Sequence, residues 1–269
     1  MRLALFGATG RAGGAILRQA CAAGCEVHAL TRSPGKLNRD DPQVTVTAGD
    51  VRDLAATGRA VQGADAVVSA IGGTCPGNPA VLQQGAAAIL TAMNRHGVGR
   101  LIVIQGFHLP FPGDPRNLGR PVMAAMLRLW NRHLIADSHQ MAEVLRESEL
   151  DWTLIRMPLL TAGPAAAGYR VGHLALGPWS RVTTGQVADF TLACLATGGF
   201  AREAPMIADA GRWSRKRPAG ATGRQLTAGG EPSSLASDPA DQREEEDHEH
   251  NRRLHRSAPR RMERRRGGL

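Results

Sequence analysis

Three glycines recur at three-residue intervals in LALFGATGRAGGAIL, residues 3–17, at Gly7, Gly10 and Gly13. They stand where an apolar run hands over to a segment with helical spacing, and that setting gives each a mechanical reason. Gly7 lets the chain leave a strand in a tight turn, and Gly10 lets backbone approach a diphosphate with no Cβ in the way. Gly13 lets the first helical turn pack close to the sheet. The free N–H groups and the dipole at such a helix start favour a phosphate anion. This pattern can bind a dinucleotide, but it contains no acid, base or nucleophile. A second GATG, at 220–223, has neither a strand before it nor a helix after it, so the tetrapeptide means little without its setting.

The kind of dinucleotide is read after the second strand, EVHAL (26–30), which runs into TRSPGKL with no acid to bond ribose hydroxyls. The guanidinium of Arg32 and the hydroxyl of Ser33 suit a 2′-phosphate, with Arg11 in the glycine loop as a second clamp. NADP(H) is therefore expected in preference to NAD(H). In AGDVRD, Asp50 is placed to bond an adenine amine and Val51 to pack on its ring. In SAIGG (69–73), the residues Ala70, Ile71 and Gly72 let backbone run beneath a ribose. His108, after the fifth strand, is a candidate for the mouth of the pocket, and His139 shares a helix face with Glu143. A solvated surface histidine is the plainer reading of both. Trp179 in GPWSRV either stacks on a planar substrate or packs a lid. No metal site is expected from this spacing.

Such residues need a frame that places them together. Short apolar runs at 2–6, 26–30, 44–48, 65–71, 101–106 and 152–157 alternate with segments whose apolar residues fall three or four apart. That alternation predicts a parallel sheet covered on both faces, an α/β doubly wound fold over residues 1–210. Residues 108–121 read as a Pro- and Gly-rich excursion over the sheet edge, 122–148 as a long or broken helix, and 163–183 as short extended pieces. Residues 211–269 carry almost no apolar periodicity and are expected to form a disordered charged tail.

The formal charge of +9 first suggests nucleic acid. Residues 212–269 hold 14 of the 33 basic and 9 of the 24 acidic side chains, so over half of that excess sits in the tail. An acidic block and the lack of interleaved aromatics there argue against nucleic-acid binding. No apolar run is long enough to cross a bilayer, and MRLALFG does not read as a secretory leader. No membrane partner is expected, and the cytoplasm is the expected compartment. Cys21, Cys25, Cys75 and Cys194 show no paired metal spacing and read as small thiols in a reducing compartment.

Together LFGATGRAGG, LTRSPGKL, GDVRD, SAIGG, AEVLRESELDWTLIRMP and GPWSRVTTGQVADF resemble the atypical short-chain dehydrogenase/reductases, a group that includes NmrA-like proteins and flavin reductases of the biliverdin reductase B type. The resemblance covers residues 1 to about 208. It implies a Rossmann-like domain in which the dinucleotide touches Gly7, Thr9, Gly10, Arg11, Ala12 and Gly13, then Arg32, Asp50, Val51, Ala70, Ile71 and Gly72. Gln105, Gly106 and Pro158 would lie near the nicotinamide. The Tyr-x-x-x-Lys pair of alcohol-acting relatives has no counterpart, because Tyr169 is followed four residues on by His173. The serine and histidine of the flavin-reductase type match Gly106 and Leu159. Hydride transfer from NADPH to a planar small molecule such as a flavin or quinone is the leading expectation. A non-catalytic dinucleotide-binding sensor acting through a protein partner is the alternative.

Overall fold

Strands sandwiched between helices must be apolar on both faces, and the central runs of this chain meet that demand. A computed structural model describes residues 1–38, 41–72, 80–115, 119–165, 168–210 and 223–226. Six parallel strands carry it: β1 (Arg2–Phe6), β2 (Glu26–Thr31), β3 (Val44–Ala48), β4 (Ala66–Ser69), β5 (Arg100–Gly106) and β6 (Asp151–Met157). Their order is β3-β2-β1-β4-β5-β6, reversing direction of growth at β1 and β4. Helices α1 (Arg11–Ala22), α2 (Leu54–Val61), α3 (Val81–His96), α4 (Gly119–Glu147) and α5 (Thr184–Thr197) form the connections and cover the two faces.

Alternation along the strands separates two cores. Ala4, Phe6, Val67, Leu101, Val103 and Leu154 pack against Ile89, Met93, Met141 and Leu145 of α3 and α4. Leu3, Leu5, Val68, Ile102, Ile104 and Ile155 face Ile16 and Ala20 of α1 and Val187, Phe190 and Cys194 of α5.

The short extended pieces expected within 163–183 are β8 (Tyr169–Gly172) and β9 (Arg181–Thr183). Three further strands lie outside the sequence expectation. β7 (Leu159–Thr161) pairs in parallel with β9 in a separate small sheet. β10 (Met206–Asp209) extends the main sheet beside β6 and is paired antiparallel with β8. β11 (Gly223–Leu226) pairs antiparallel with β8, within the stretch 211–269 expected to be disordered. The remainder of that stretch lies outside the described residues, as does Cys75.

Two buried carboxylates fix the loops above the sheet. Asp137, on α4, accepts hydrogen bonds from the backbone N–H of Leu82 and Gln83, both at 2.9 Å. It supplies the cap that Ala80, a left-handed residue with no side-chain oxygen, cannot give α3. Asp114 receives the guanidinium of Arg156 in a two-pronged pair, at 2.6 Å and 2.7 Å. Arg156 is wholly buried in β6, and its remaining donors go to the carbonyls of Leu109 and Ala204. Phe111 lies against the same guanidinium, 5.1 Å from ring centroid to Cζ. The excursion after β5 is thereby pinned to the sheet edge.

Removing one member of a buried pair strands the other's charge. Asp114→Ala is therefore expected to cost about 3–5 kcal/mol of stability in urea denaturation. A loss below about 1 kcal/mol would mean the pair contributes no more than an exposed one.

Candidate functional site

Parallel registry sets the carboxyl ends of the strands along one rim. Phe6 is level with Leu30 and with Ser69, Thr31 with Ala48, and Gly106 with Met157. The turns that leave these ends carry Gly7, Arg32, Asp50, Ala70, Gly106 and Pro158 along that rim. Of the predicted residues beside them, Thr9, Gly10, Ser33 and Gly72 are exposed, Ala70 and Ile71 half-buried, and Ala12 and Pro158 buried.

Two of the three spaced glycines are required by packing alone. Gly7 has φ +82°, and a Cβ on it would fall 2.6 Å from the Ala70 carbonyl oxygen. A Cβ on Gly13 would run into the Gly7 carbonyl, so the first helical turn packs on the glycine turn itself rather than on a strand. Gly10 is different, because its Cβ would meet one atom only, the Gly7 oxygen at 3.2 Å. It is the N-cap of α1, with no side-chain cap and no acid in the first turn. This helix start therefore keeps its positive end and a bare approach for an anion. A dinucleotide diphosphate fits such a cradle.

Around the second and third strand ends the charges are more organised than their spacing implies. Both oxygens of Asp50 are held by Arg52, at 2.8 Å and 3.1 Å, with the Arg52 backbone N–H adding a third bond. The Arg52 hydrogen bond, with a smaller contribution from Arg32, holds the Asp50 carboxyl below the usual range. An adenine amine would have to share this carboxylate with Arg52. Sequence reasoning overlooked that residue, although its place two positions after an aspartate was a usable signal. Val51 is buried against α3, where a Cβ on Gly85 would come within 2.9 Å of it, so it faces the core. Arg11 donates to the Leu160 carbonyl at 3.1 Å, tying the glycine loop to β7. Arg32 and Ser33 are exposed ahead of a short turn at Pro34–Lys36.

At the end of β5 the structure corrects the surface reading of His108. Its imidazole is only 5% exposed, and Nε2 is buried with no hydrogen-bond partner among the described residues. Burial, assisted by nearby His139, lowers the ring's pKa to about 4. His139 itself is half-buried on α4, with Glu143 exposed one turn on. Gln105 is also buried, accepting from the Gly106 N–H at 2.9 Å while its Nε2 has no partner among the described residues. On the other side of the rim, Trp179 is 79% and Leu159 46% exposed. The two lie close along the β7–β9 pairing, because the Leu159 N–H donates to the Ser180 carbonyl at 3.2 Å. Tyr169 is fully buried, its hydroxyl 2.7 Å from Asp189, and burial first and then Asp189 push its pKa upward. No group of three metal-ligating side chains occurs among the described residues.

A doubly wound sheet whose first turn opens an uncapped helix at the strand carboxyl ends defines a dinucleotide-binding Rossmann-like protein. Residues 7–198 match the family described as NAD(P)H-binding, and the chain belongs to that family. It is 32% identical to YwnB of Bacillus subtilis strain 168 over 106 residues, 39% of this chain and 47% of YwnB, so the match spans about half that curated relative. ChuY, an anaerobillin reductase from Escherichia coli O157:H7, superposes with a TM-score of 0.66 at 18% identity, covering 81% of this chain and 100% of ChuY. A short-chain dehydrogenase/reductase from Veillonella parvula DSM 2008 in complex with NADP gives 0.64 at 18% identity, covering 78% and 95%. At this identity the two likenesses show a shared fold. No helix among the described residues is long and apolar enough to cross a membrane.

The buried imidazole makes stability depend on pH. Above about pH 6.5 the ring is neutral in both folded and unfolded chains and contributes no difference. As pH falls from there toward 4, the unfolded chain binds the proton first, so the fold loses stability. At pH 4.5, His108→Asn is expected to have lost about 2 kcal/mol less than the parent relative to pH 7, by urea denaturation. Equal losses would mean the imidazole ionises freely in place.

Proposed function

We propose that the chain is an NADPH-dependent reductase of a planar acceptor, of the flavin or quinone class, acting in the cytoplasm. The observation that carries this reading is the rim itself. It combines an uncapped glycine cradle with an exposed apolar pair, Trp179 and Leu159, on the β7–β9 side. The turn Gly7–Gly13 and the start of α1 bind the diphosphate, Arg32 and Ser33 select the 2′-phosphate, and Ala70 to Gly72 leave room for the ribose. Gln105, Gly106 and Pro158 border the nicotinamide. When bound, the reduced nicotinamide supplies the hydride. Trp179 and Leu159 hold a flat ring by stacking and apolar contact, and the excursion pinned by Arg156 screens one side from water. Acceptors of this class take protons from solvent, which suits a chain whose single tyrosine is fully buried and bonded to Asp189. Reduction is also the activity of ChuY on the same fold.

Purified protein with NADPH, followed by the absorbance of the reduced nicotinamide, should oxidise it in the presence of FMN, a quinone or biliverdin and not in their absence. Binding of NADPH with no oxidation by any acceptor would overturn the reductase and leave a dinucleotide-binding sensor. Arg32→Asp should weaken NADPH by about tenfold relative to NADH, the loss of one charge-assisted contact. An unchanged ratio in paired titrations would move the 2′-phosphate elsewhere.

A further inference from the structure

Residue 106 ends β5 at the centre of the rim and has no side chain, yet the space above it is filled. A Cβ built on Gly106 would fall 2.5 Å from Nδ1 of His108 and 2.9 Å from its Cε1. The imidazole two residues on has folded back into the volume that a side chain at 106 would occupy. Its other nitrogen, Nε2, is buried without a partner among the described residues, so packing rather than a hydrogen bond to them holds that side of the ring. An orphaned buried N–H is costlier and rarer than an orphaned acceptor. The neutral ring therefore keeps its proton on Nδ1 and turns a donor toward the rim above Gly106.

We propose that His108 takes the place of the absent residue 106 side chain and donates from Nδ1 to a carbonyl oxygen on the nicotinamide half of the bound dinucleotide. This rests on the dinucleotide reading above and adds a contact that neither the glycine turn nor Arg32 can provide. Such a donor fixes the rotation of the ring that presents the hydride, and it needs no change of charge on the imidazole.

Two probes separate the halves of the ligand: NADP⁺, and adenosine 2′,5′-bisphosphate, which lacks the nicotinamide. In calorimetric titrations His108→Leu should weaken NADP⁺ about tenfold, the loss of one buried hydrogen bond, and change adenosine 2′,5′-bisphosphate less than about twofold. His108→Asn, whose amide can donate from nearly the position of Nδ1, should recover NADP⁺ affinity to within about threefold of the parent. Gly106→Ala, which crowds the imidazole, should weaken NADP⁺ alone and add little to His108→Leu. Equal losses on both probes, or no loss on either, would overturn the role of His108 and leave the dinucleotide reading intact. A parent chain that binds neither probe would overturn that reading and this one with it.

Discussion

A single guanidinium holds the functional end of this fold together. Arg156 has five N–H donors, and five hydrogen bonds account for them: two to Asp114, two to the Ala204 carbonyl and one to the Leu109 carbonyl. Those acceptors belong to the excursion after β5 and to the approach to β10, which pairs with β6 at Arg156 itself. Asp114 also lies 3.4 Å from His173, just after β8 on the chain that leads to Trp179. A charge buried in a strand therefore organises both walls of the rim, and it is tolerable there because every donor is used. His108 and Asp114 belong to the same excursion, so anchoring Asp114 also limits where the imidazole can lie.

Much of this frame was legible in the sequence. The six parallel strands fall within a few residues of the apolar runs; for the central strands this is because burial on both faces needs an apolar stretch, whereas β3, with no fully buried residue, lies at the sheet edge. The glycine turn was legible for a similar reason, since strand, spacing and helix all coincide there. β7 and β10 were not, being three and four residues long, too short for any period to show. Arg156 looked like one polar residue in WTLIRM, and its carboxylate partner lies 42 positions earlier. The only hint was a lone arginine within an otherwise apolar strand. His108 was misread because burial by elements distant in the chain leaves no mark on local spacing.

The glycine turn also separates two kinds of information that a motif combines. Gly7 and Gly13 are explained by backbone crowding within the protein, whereas Gly10 meets little crowding and is left for a ligand. A Gly-rich loop thus reports how a chain packs at least as much as what it binds. The same distinction applies to Val51 and Asp50. Their places in the sequence suit an adenine, while their side chains face the core and Arg52.

Asp137 has an effect at a distance from its own hydrogen bonds. Four helices, α1 to α4, follow strands β1, β3, β4 and β5 of the main sheet, and the starts of α1, α2 and α3 would each by itself attract an anion. Asp53 already sits on the first turn of α2, and Asp137 reaches across from α4 to do the same for α3. Of these three helix starts, only that of α1 keeps an uncompensated positive pole. Among these three, a phosphate arriving from solution meets a single attractive end, that of α1.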